Sequence, residues 1–381
     1  MDRSNYKKLG DYIRSVDVRN RDLAVTNLLG VSISKTFIPS IANTIGTDMS
    51  TYKVVEPYQF AYGPVTSRNG DKITFALYKG TEKCIISQAY ETFEIVDKEQ
   101  LDPDYLMMWA LRPEFDRYAR FKSNGSAREI FSWDEMCEVY LPVPDITTQR
   151  RIVAEYQAVE KRIATNEQLI AKLEETAQTI YKKMFVDDID PAHLPDGWRI
   201  GVLRDFCDKM TSGGTPDRGI DAYWNNGTIP WIKTGEVHGN IIFGAEEKIT
   251  ELALKNSSAK LIPQNTVVMA MYGGGTIANV AFLKVETTTN QACCNMICSS
   301  YEKSAFLFFH CMYHQEEIRR LANGGAQENL SLDVIGNTVF IIPSDTFDYT
   351  QFSKILDLIV AHSEENQVLK RVLDLQLQRL S

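Results

Sequence analysis

Two glycine-centred stretches decide the organisation of this chain. Residues 123–136 read SNGSAREIFSWDEM, and residues 322–335 read ANGGAQENLSLDVI. When the second half is aligned on the first with an offset of 199 residues, Asn124 matches Asn323, and a serine later in one stretch matches a serine in the other. Each stretch precedes a strand-like segment and then a long charged helix. The sequence therefore predicts a tandem repeat, because chance rarely preserves the order of several features.

Further correspondences extend the repeat upstream. ISQAYETFEI at residues 86–95 matches TNQACCNMIC at 289–298, and KLGDYI at 8–13 matches VLRDFC at 202–207. A length of 381 residues also suggests more than one domain. We predict four segments, in which each of two globules precedes one long helix: residues 1–146, 147–186, 187–345 and 346–381.

The two long helices are predicted from heptad spacing. Residues 148–185 contain no glycine or proline, and at 1.5 Å per residue they give about 50 Å of helix. The predicted seam contains Ile152, Val159, Ile163, Asn166, Ile170 and Leu173 in the first helix, and Ile359, Asn366, Leu369 and Leu373 in the second. Such helices most simply form a coiled coil, with the asparagines fixing register. The alternative is that each helix packs on its own globule.

The globules are predicted to be mixed and mostly β, so the fold class is α+β. Short β-branched or aromatic runs such as NTVVMAMYGG and NVAFLKV are typical of strands. Residues 106–121 and 304–322 are each predicted to form one amphipathic helix before a glycine stretch.

Composition favours a cytoplasmic protein. No run approaches the ~18 apolar residues of a membrane helix, and we expect neither a signal peptide nor membrane association. The net charge is −9, without a basic tail, so any DNA contact would come from local patches or be helped by a partner. Cys294, Cys298, His310 and His314 lie in apolar surroundings and are expected in the core rather than on a metal.

Binding, rather than catalysis, is what the polar loops indicate. Glycines expose N–H groups that can meet phosphate oxygens, and nearby Asn, Gln, Arg and Ser side chains can read base edges. Similar frames with different side chains would suit two sites for different base sequences, although a plain structural turn is the alternative. We find no nucleotide-binding loop and no catalytic constellation.

The duplicated order, together with the phrases LLGVSISKTFIPS, IPWIKTGEV, NQA and NGGAQENLS, resembles the specificity subunit of type I restriction–modification systems. The resemblance covers essentially the entire chain. It implies two target recognition domains, each reading half of a split DNA sequence, and two helices that pair antiparallel as a spacer. It also implies that catalysis lies elsewhere, so no cofactor is expected in this chain.

The implied partners are double-stranded DNA, two modification (methyltransferase) subunits and restriction (translocase–nuclease) subunits. S-adenosylmethionine, ATP and Mg²⁺ are expected in those subunits. Two alternatives remain at this point. One is the DNA-recognition chain of a two-component type II modification enzyme, and the other is a coiled-coil adaptor that binds protein rather than DNA.

The predicted DNA-contacting residues are assigned by loop position. In the first globule they are Lys35, Tyr62, Thr66, Ser67, Arg68, Lys122, Asn124, Gly125 and Arg128. In the second globule they are Ser212, Gly213, Gly214, Thr215, Arg218, Lys233, Thr234, Tyr272, Asn323, Gly324, Gln327 and Asn329.

Overall fold

A computed structural model describes residues 6–40, 46–67, 70–123, 129–273, 275–322 and 329–380. The chain forms two compact units. Unit 1 contains residues 1–163 and 368–381, and unit 2 contains residues 164–367. This division falls inside both long helices rather than at the predicted segment ends. The reason is that each part of a long helix packs into the core of its own unit.

Unit 1 is built on an antiparallel sheet. Its strands are β1 (Tyr6–Lys8), β2 (Ile13–Val16), β3 (Leu29–Val31), β4 (Phe37–Pro39), β5 (Lys53–Val55), β6 (Phe60–Tyr62), β7 (Phe75–Leu77), β8 (Cys84–Ile86), β9 (Glu91–Ile95) and β10 (Tyr140–Pro142). The main sheet has the order β2–β9–β6–β7. The pairs β1–β10, β3–β4 and β5–β8 form separate two-stranded ladders.

The helices of unit 1 cover one face of that sheet. They are α1 (Pro103–Ala110), α2 (Pro113–Lys122), α3 (Trp133–Cys137) and the first part of α4 (Ile146–Lys182), with 3₁₀ turns at Leu9–Asp11 and Met49–Thr51. Phe60, Phe75 and Phe93 of the sheet form one core with Phe115 of α2. The single helix predicted over residues 106–121 is wrong. Pro113 lacks an N–H, so it begins a new helix instead of continuing α1.

Unit 2 repeats the sheet with one additional strand. Its strands are β11 (Arg199–Val202), β12 (Lys209–Ser212), β13 (Ile229–Ile232), β14 (Asn240–Ile242), β15 (Glu247–Ile249), β16 (Val267–Ala270), β17 (Val280–Leu283), β18 (Thr288–Thr289), β19 (Cys293–Ile297) and β20 (Val339–Ile342). The main sheet has the order β12–β19–β16–β17–β14, and β15–β13–β18 form a second sheet. β11 pairs with β20.

The helices of unit 2 include the remaining parts of the two long ones. They are α5 (Leu203–Phe206), α6 (Asp221–Trp224), α7 (Glu251–Asn256), α8 (Tyr301–Tyr313), α9 (Gln315–Arg320), α10 (Leu332–Gly336) and α11 (Thr350–Gln378), with a π-helical turn at Lys183–Asp187 and a 3₁₀ turn at Thr234–Glu236. The helix predicted over residues 304–322 is also divided. His314 leaves the helical conformation, and its ring lies between the Tyr181 hydroxyl and the Glu317 carboxylate.

The tandem repeat is present at the level of topology. The order β2–β9–β6–β7 in unit 1 corresponds to β12–β19–β16–β17 in unit 2. The capping serines correspond as well, because Ser132 accepts a hydrogen bond from the Glu135 N–H and Ser331 accepts one from the Val334 N–H. These serines begin α3 and α10, two short helices that the sequence pattern did not predict at the ends of the two glycine-centred stretches.

Ile163 and Asn166 of the first long helix and Ile359 and Asn366 of the second are buried, and the other predicted seam residues are half-buried. In unit 2, Asn166 Nδ2 donates to Asn366 Oδ1 at 2.9 Å, while Gln351 Nε2 contacts Met184 Sδ at 3.0 Å. The first helix therefore runs opposite to the second, which confirms antiparallel pairing within this unit. In unit 1, Leu373 and Leu377 of α11 pack against the core that contains Tyr156 of α4. The coiled-coil prediction and its alternative therefore both hold, because seam residues contact each other and also pack on the globule cores.

The buried asparagine pair gives a stability prediction. Asn166→Ala removes the donor to Asn366 and to Glu365, and we expect a loss of about 1–3 kcal/mol in the free energy of unfolding. Urea denaturation of the full chain measures this loss, with Gln168→Ala on the exposed face of the same helix as the control. A double-mutant cycle with Asn366→Ala should give a coupling above about 0.5 kcal/mol. Equal effects of Asn166→Ala and Gln168→Ala would contradict the assigned role.

Candidate nucleic-acid interface

Backbone hydrogen bonds bring several loops of unit 2 to one end of its main sheet. The Met271 N–H, just after β16, donates to the Ala292 carbonyl at 2.8 Å. The Leu330 N–H, within the second glycine-centred stretch, donates to the Met271 carbonyl at 2.8 Å. The Asn290 N–H donates to the Ile232 carbonyl at the end of β13 at 2.9 Å. Segments distant in sequence therefore meet at one end of the sheet.

The polar side chains on these loops form what we call the unit 2 rim: Thr215, Thr234, Tyr272, Gln291 and Asn329. Gln291 and Asn329 are exposed, and the other three are half-buried. The Thr215 hydroxyl hydrogen bonds to the Gln291 side chain. Partial burial raises the pKa of Tyr272, so its phenol is neutral at physiological pH. Neutral hydroxyl and amide groups can both donate to and accept from base edges.

Unit 1 has matching backbone contacts at the equivalent end of its main sheet. The Phe131 N–H, within the first glycine-centred stretch, donates to the Pro64 carbonyl at 2.8 Å. Phe131 and Leu330 are 199 residues apart, so this contact repeats the one that Leu330 makes in unit 2. The Thr66 N–H also donates to the Glu129 carbonyl at 3.0 Å. The segment after β6 is thereby held against the segment that follows residues 124–128.

A pair of glutamines occupies equivalent positions in the two units. Gln88 precedes β9 and Gln291 precedes β19, and both are exposed. The residue before each glutamine makes the same turn, because the Ser87 hydroxyl accepts from the Ala89 N–H and the Asn290 amide oxygen accepts from the Ala292 N–H. Neither glutamine was among the predicted residues, although the repeated QA dipeptide was a signal that could have found them. We define the unit 1 rim as Ser67, Gln88, Ser123 and Glu129.

Three predicted residues of unit 1 are corrected by their burial. Lys35 donates to the Ala110 carbonyl at 2.5 Å and pairs with Asp116 Oδ1 at 2.9 Å, and burial lowers the pKa of its ammonium group. Tyr62 is fully buried, which raises the pKa of its phenol. The Thr66 hydroxyl donates to the Ser123 hydroxyl at 2.9 Å inside the unit. These side chains hold the unit together, so direct contact with DNA conflicts with their placement.

Three predicted residues of unit 2 are also corrected: Ser212, Gly213 and Gly214. Ser212 is the last residue of β12. Gly213 and Gly214 are buried, and the Gly214 N–H donates to the Thr289 carbonyl at 2.9 Å. The Gly214 carbonyl accepts from the Trp231 indole N–H at 2.9 Å. The two glycines therefore permit close backbone packing rather than expose N–H groups to a ligand.

The remaining predicted residues have varied placements. Ser67 is exposed, and half-buried Lys122 lies 3.3 Å from the Glu135 carboxylate. Arg218 and Lys233 border the unit 2 rim and pair with Glu247. Seven predicted residues lie outside the described part of the chain: Arg68, Asn124, Gly125, Arg128, Asn323, Gly324 and Gln327.

The four cysteine and histidine residues that were expected in the core of unit 2 are buried or half-buried. Cys294 and His310 are buried, and the Tyr181 hydroxyl lies 2.6 Å from His310 Nδ1. Burial lowers the pKa of His310 well below its usual value. Among the residues that the structure describes, no group of three or more His, Cys, Asp or Glu side chains is arranged to hold a metal ion. None of the helices in that part of the chain is both long and apolar enough to cross a membrane.

Comparison with known proteins gives one consistent family. Residues 195–371 match the family model described as type I restriction modification DNA specificity domain. The type I restriction enzyme MjaIX specificity subunit of Methanocaldococcus jannaschii is 22% identical over 306 residues, covering 75% of this chain and 70% of that protein. The HindI specificity subunit of Haemophilus influenzae is 20% identical over 355 residues, covering 73% of this chain and 76% of that protein.

A solved structure has the same fold. The crystal structure of the type I restriction–modification S subunit from M. genitalium superposes with a TM-score of 0.56 at 13% sequence identity. The match covers 98% of this chain and 95% of that chain. At this identity the similarity establishes the fold, which is the α+β architecture predicted above.

The glycine packing beside the unit 2 rim can be tested directly. A Cβ atom at Gly213 would lie 2.0 Å from the Thr289 carbonyl oxygen, whereas one at Gly235 would meet nothing within 4 Å. We expect Gly213→Ala to lower the free energy of unfolding by about 1–3 kcal/mol, and Gly235→Ala to change it by less than about 0.5 kcal/mol. Chemical denaturation of both variants checks this difference. Equal stabilities would show that the backbone at Gly213 is not constrained.

Proposed function

We propose that this chain is a specificity subunit of a type I restriction–modification system, and that it selects the DNA sequence on which its partner subunits act. In this proposal each unit reads one half of a bipartite target. The chain itself supplies recognition, and catalysis lies in the partner subunits. Those subunits methylate adenine within the target and cut DNA that lacks the modification.

The observation that supports this proposal is that the two units repeat the same backbone contacts at one end of the sheet, while the side chains around those contacts differ. Phe131 and Leu330 make equivalent backbone contacts, and Gln88 and Gln291 occupy equivalent turns. The side chains around them differ, because the unit 2 rim contains Thr234 and Tyr272, whereas the unit 1 rim contains Ser67 and Glu129. A common frame with different hydrogen-bonding groups is what two readers of different base sequences require.

The charge of the chain bears on how it binds. A net charge of −9 opposes attraction to the phosphate backbone, which normally supplies most of the affinity for DNA. We therefore expect weak binding by this chain alone and much tighter binding once modification subunits add cationic surface. The assembly would contain two modification subunits, one for each repeat, and would also recruit restriction subunits. S-adenosylmethionine, ATP and Mg²⁺ would bind to those partners.

Methylome sequencing tests this function. A host that carries this gene with the neighbouring methyltransferase gene is compared with the same host lacking only this gene. We expect one bipartite N6-methyladenine motif to disappear in the deletion strain and to return with a plasmid copy. The motif would also give both half-sites. If every methylated motif persisted unchanged, recognition would have to be assigned elsewhere and a protein-adaptor role would become the better account.

A second experiment separates a type I system from a two-component type II enzyme. Purification of the tagged chain should recover separate modification and restriction subunits. Recovery of one chain that both methylates and cuts would instead indicate the type II arrangement.

A further inference from the structure

A single carboxylate in unit 2 holds two cationic side chains beside the rim. Glu247 Oε1 accepts from Lys233 Nζ at 2.9 Å, while Glu247 Oε2 pairs with the Arg218 guanidinium. Both oxygens are therefore engaged, one with each cation. These contacts lower the pKa of Glu247, the Arg218 hydrogen bond being the main cause, so the carboxylate is ionised at neutral pH.

The two cations are close to the predicted DNA-binding surface. Lys233 directly precedes Thr234 of the unit 2 rim, and Arg218 follows Thr215 by three residues. Lys233 is one-third exposed and Arg218 about one-half exposed, so both ion pairs are accessible to solvent and to a polyanion. Because such pairs are only modestly stable in water, a well-placed phosphate can displace the carboxylate.

Aromatic rings fix where the Arg218 guanidinium lies. Its central carbon is 3.7 Å from the Trp224 ring centroid and 4.8 Å from the Trp231 ring centroid. The Trp224 indole N–H donates to the Asp217 carbonyl at 3.0 Å, which joins the ring to the same loop. Trp231 is opposite Glu247 in the β13–β15 ladder. The guanidinium is thus held between two rings and a carboxylate on a neighbouring strand.

Two further carboxylates make the local charge negative. Glu246 Oε2 lies 3.2 Å from Lys233 Nζ. Glu236 accepts hydrogen bonds from the backbone N–H groups of Lys233 and Glu246. Glu246 and Glu247 therefore contact the two cations, and Glu236 is bonded to the backbone beside them, so a nonspecific phosphate approaching this surface would meet three carboxylates and two cations.

We propose that Glu247 is a specificity-determining residue, which restrains Arg218 and Lys233 so that they engage DNA only where the unit 2 rim fits its half-site. This inference rests on the proposed function. On a matching sequence the rim contacts bring phosphates close enough to replace Glu247. On other sequences the carboxylate competes successfully, and nonspecific binding stays weak. Repulsion of the wrong partner is a recognised source of specificity.

The experiment uses the chain assembled with its modification partner. Equilibrium binding is measured for two labelled duplexes, one with the methylome-derived target and one without it, at several salt concentrations. Glu247→Gln removes the charge and keeps the size of the side chain. We expect its affinity for the duplex without the target to rise about tenfold, with a salt slope steeper by up to about 2, since each phosphate contact contributes about 0.9. Affinity for the target should rise less.

Two further variants serve as controls for Glu247→Gln. Asp205→Asn makes the same change in net charge, but Asp205 pairs with Arg199 on β11, in a different sheet from β13 and β15. It should leave discrimination between the two duplexes unchanged. Glu247→Asp retains the charge and should retain most of the discrimination, which separates the charge effect from any loss of folding.

The outcomes distinguish this inference from the proposed function. If Glu247→Gln matched Asp205→Asn in affinity and salt slope, restraint by Glu247 would be excluded. Loss of binding to both duplexes by a folded Glu247→Gln complex would also overturn it, because Glu247 would then orient the cations for binding. If the unaltered complex failed to prefer its target duplex, the proposed function would fail instead.

Discussion

One backbone hydrogen bond, made once in each unit, is the contact on which both candidate surfaces depend. In unit 1 it joins the Phe131 N–H to the Pro64 carbonyl, and in unit 2 it joins the Leu330 N–H to the Met271 carbonyl. Each donor lies within a glycine-centred stretch, and each acceptor lies just beyond a central strand. The bond requires no particular side chain. It therefore leaves the neighbouring positions available for residues that differ between the units. A backbone-defined frame with variable side chains suits proteins that keep one fold while reading different sequences.

Much of the fold could be predicted because its signals are periodic. The heptad positions are buried or half-buried, with Asn166 and Asn366 among the buried ones, and the duplicated glycine stretches indicate the duplicated sheets. Local interruptions were missed, because amphipathic spacing continues across Pro113 and His314 although the helices do not. The short helices begun by Ser132 and Ser331 were also missed, since five residues are too few to give a periodic signal.

The candidate surface was less predictable, because residue type does not reveal which side of a loop faces solvent. Lys35, Tyr62 and Thr66 have polar groups suited to DNA, yet tertiary contacts bury them. The paired glutamines, Gln88 and Gln291, were missed although the QA dipeptide is repeated, and the strand order shows that they precede equivalent strands. The ion pairs of Glu247 depend on strands β13 and β15 lying side by side, which no local pattern indicates. Topology, rather than composition, decides these sites.

The central claim is that the two rims contact different halves of one DNA target. Site-specific photocrosslinking tests it most directly, with a photoreactive residue at Gln88 or at Gln291 in the complex with its modification partner. Both positions are exposed and equivalent in the repeat. On a duplex whose half-sites carry different labels, we expect Gln88 to crosslink to one half-site and Gln291 to the other. Crosslinking of both positions to the same half-site, or of neither to DNA, would contradict the account.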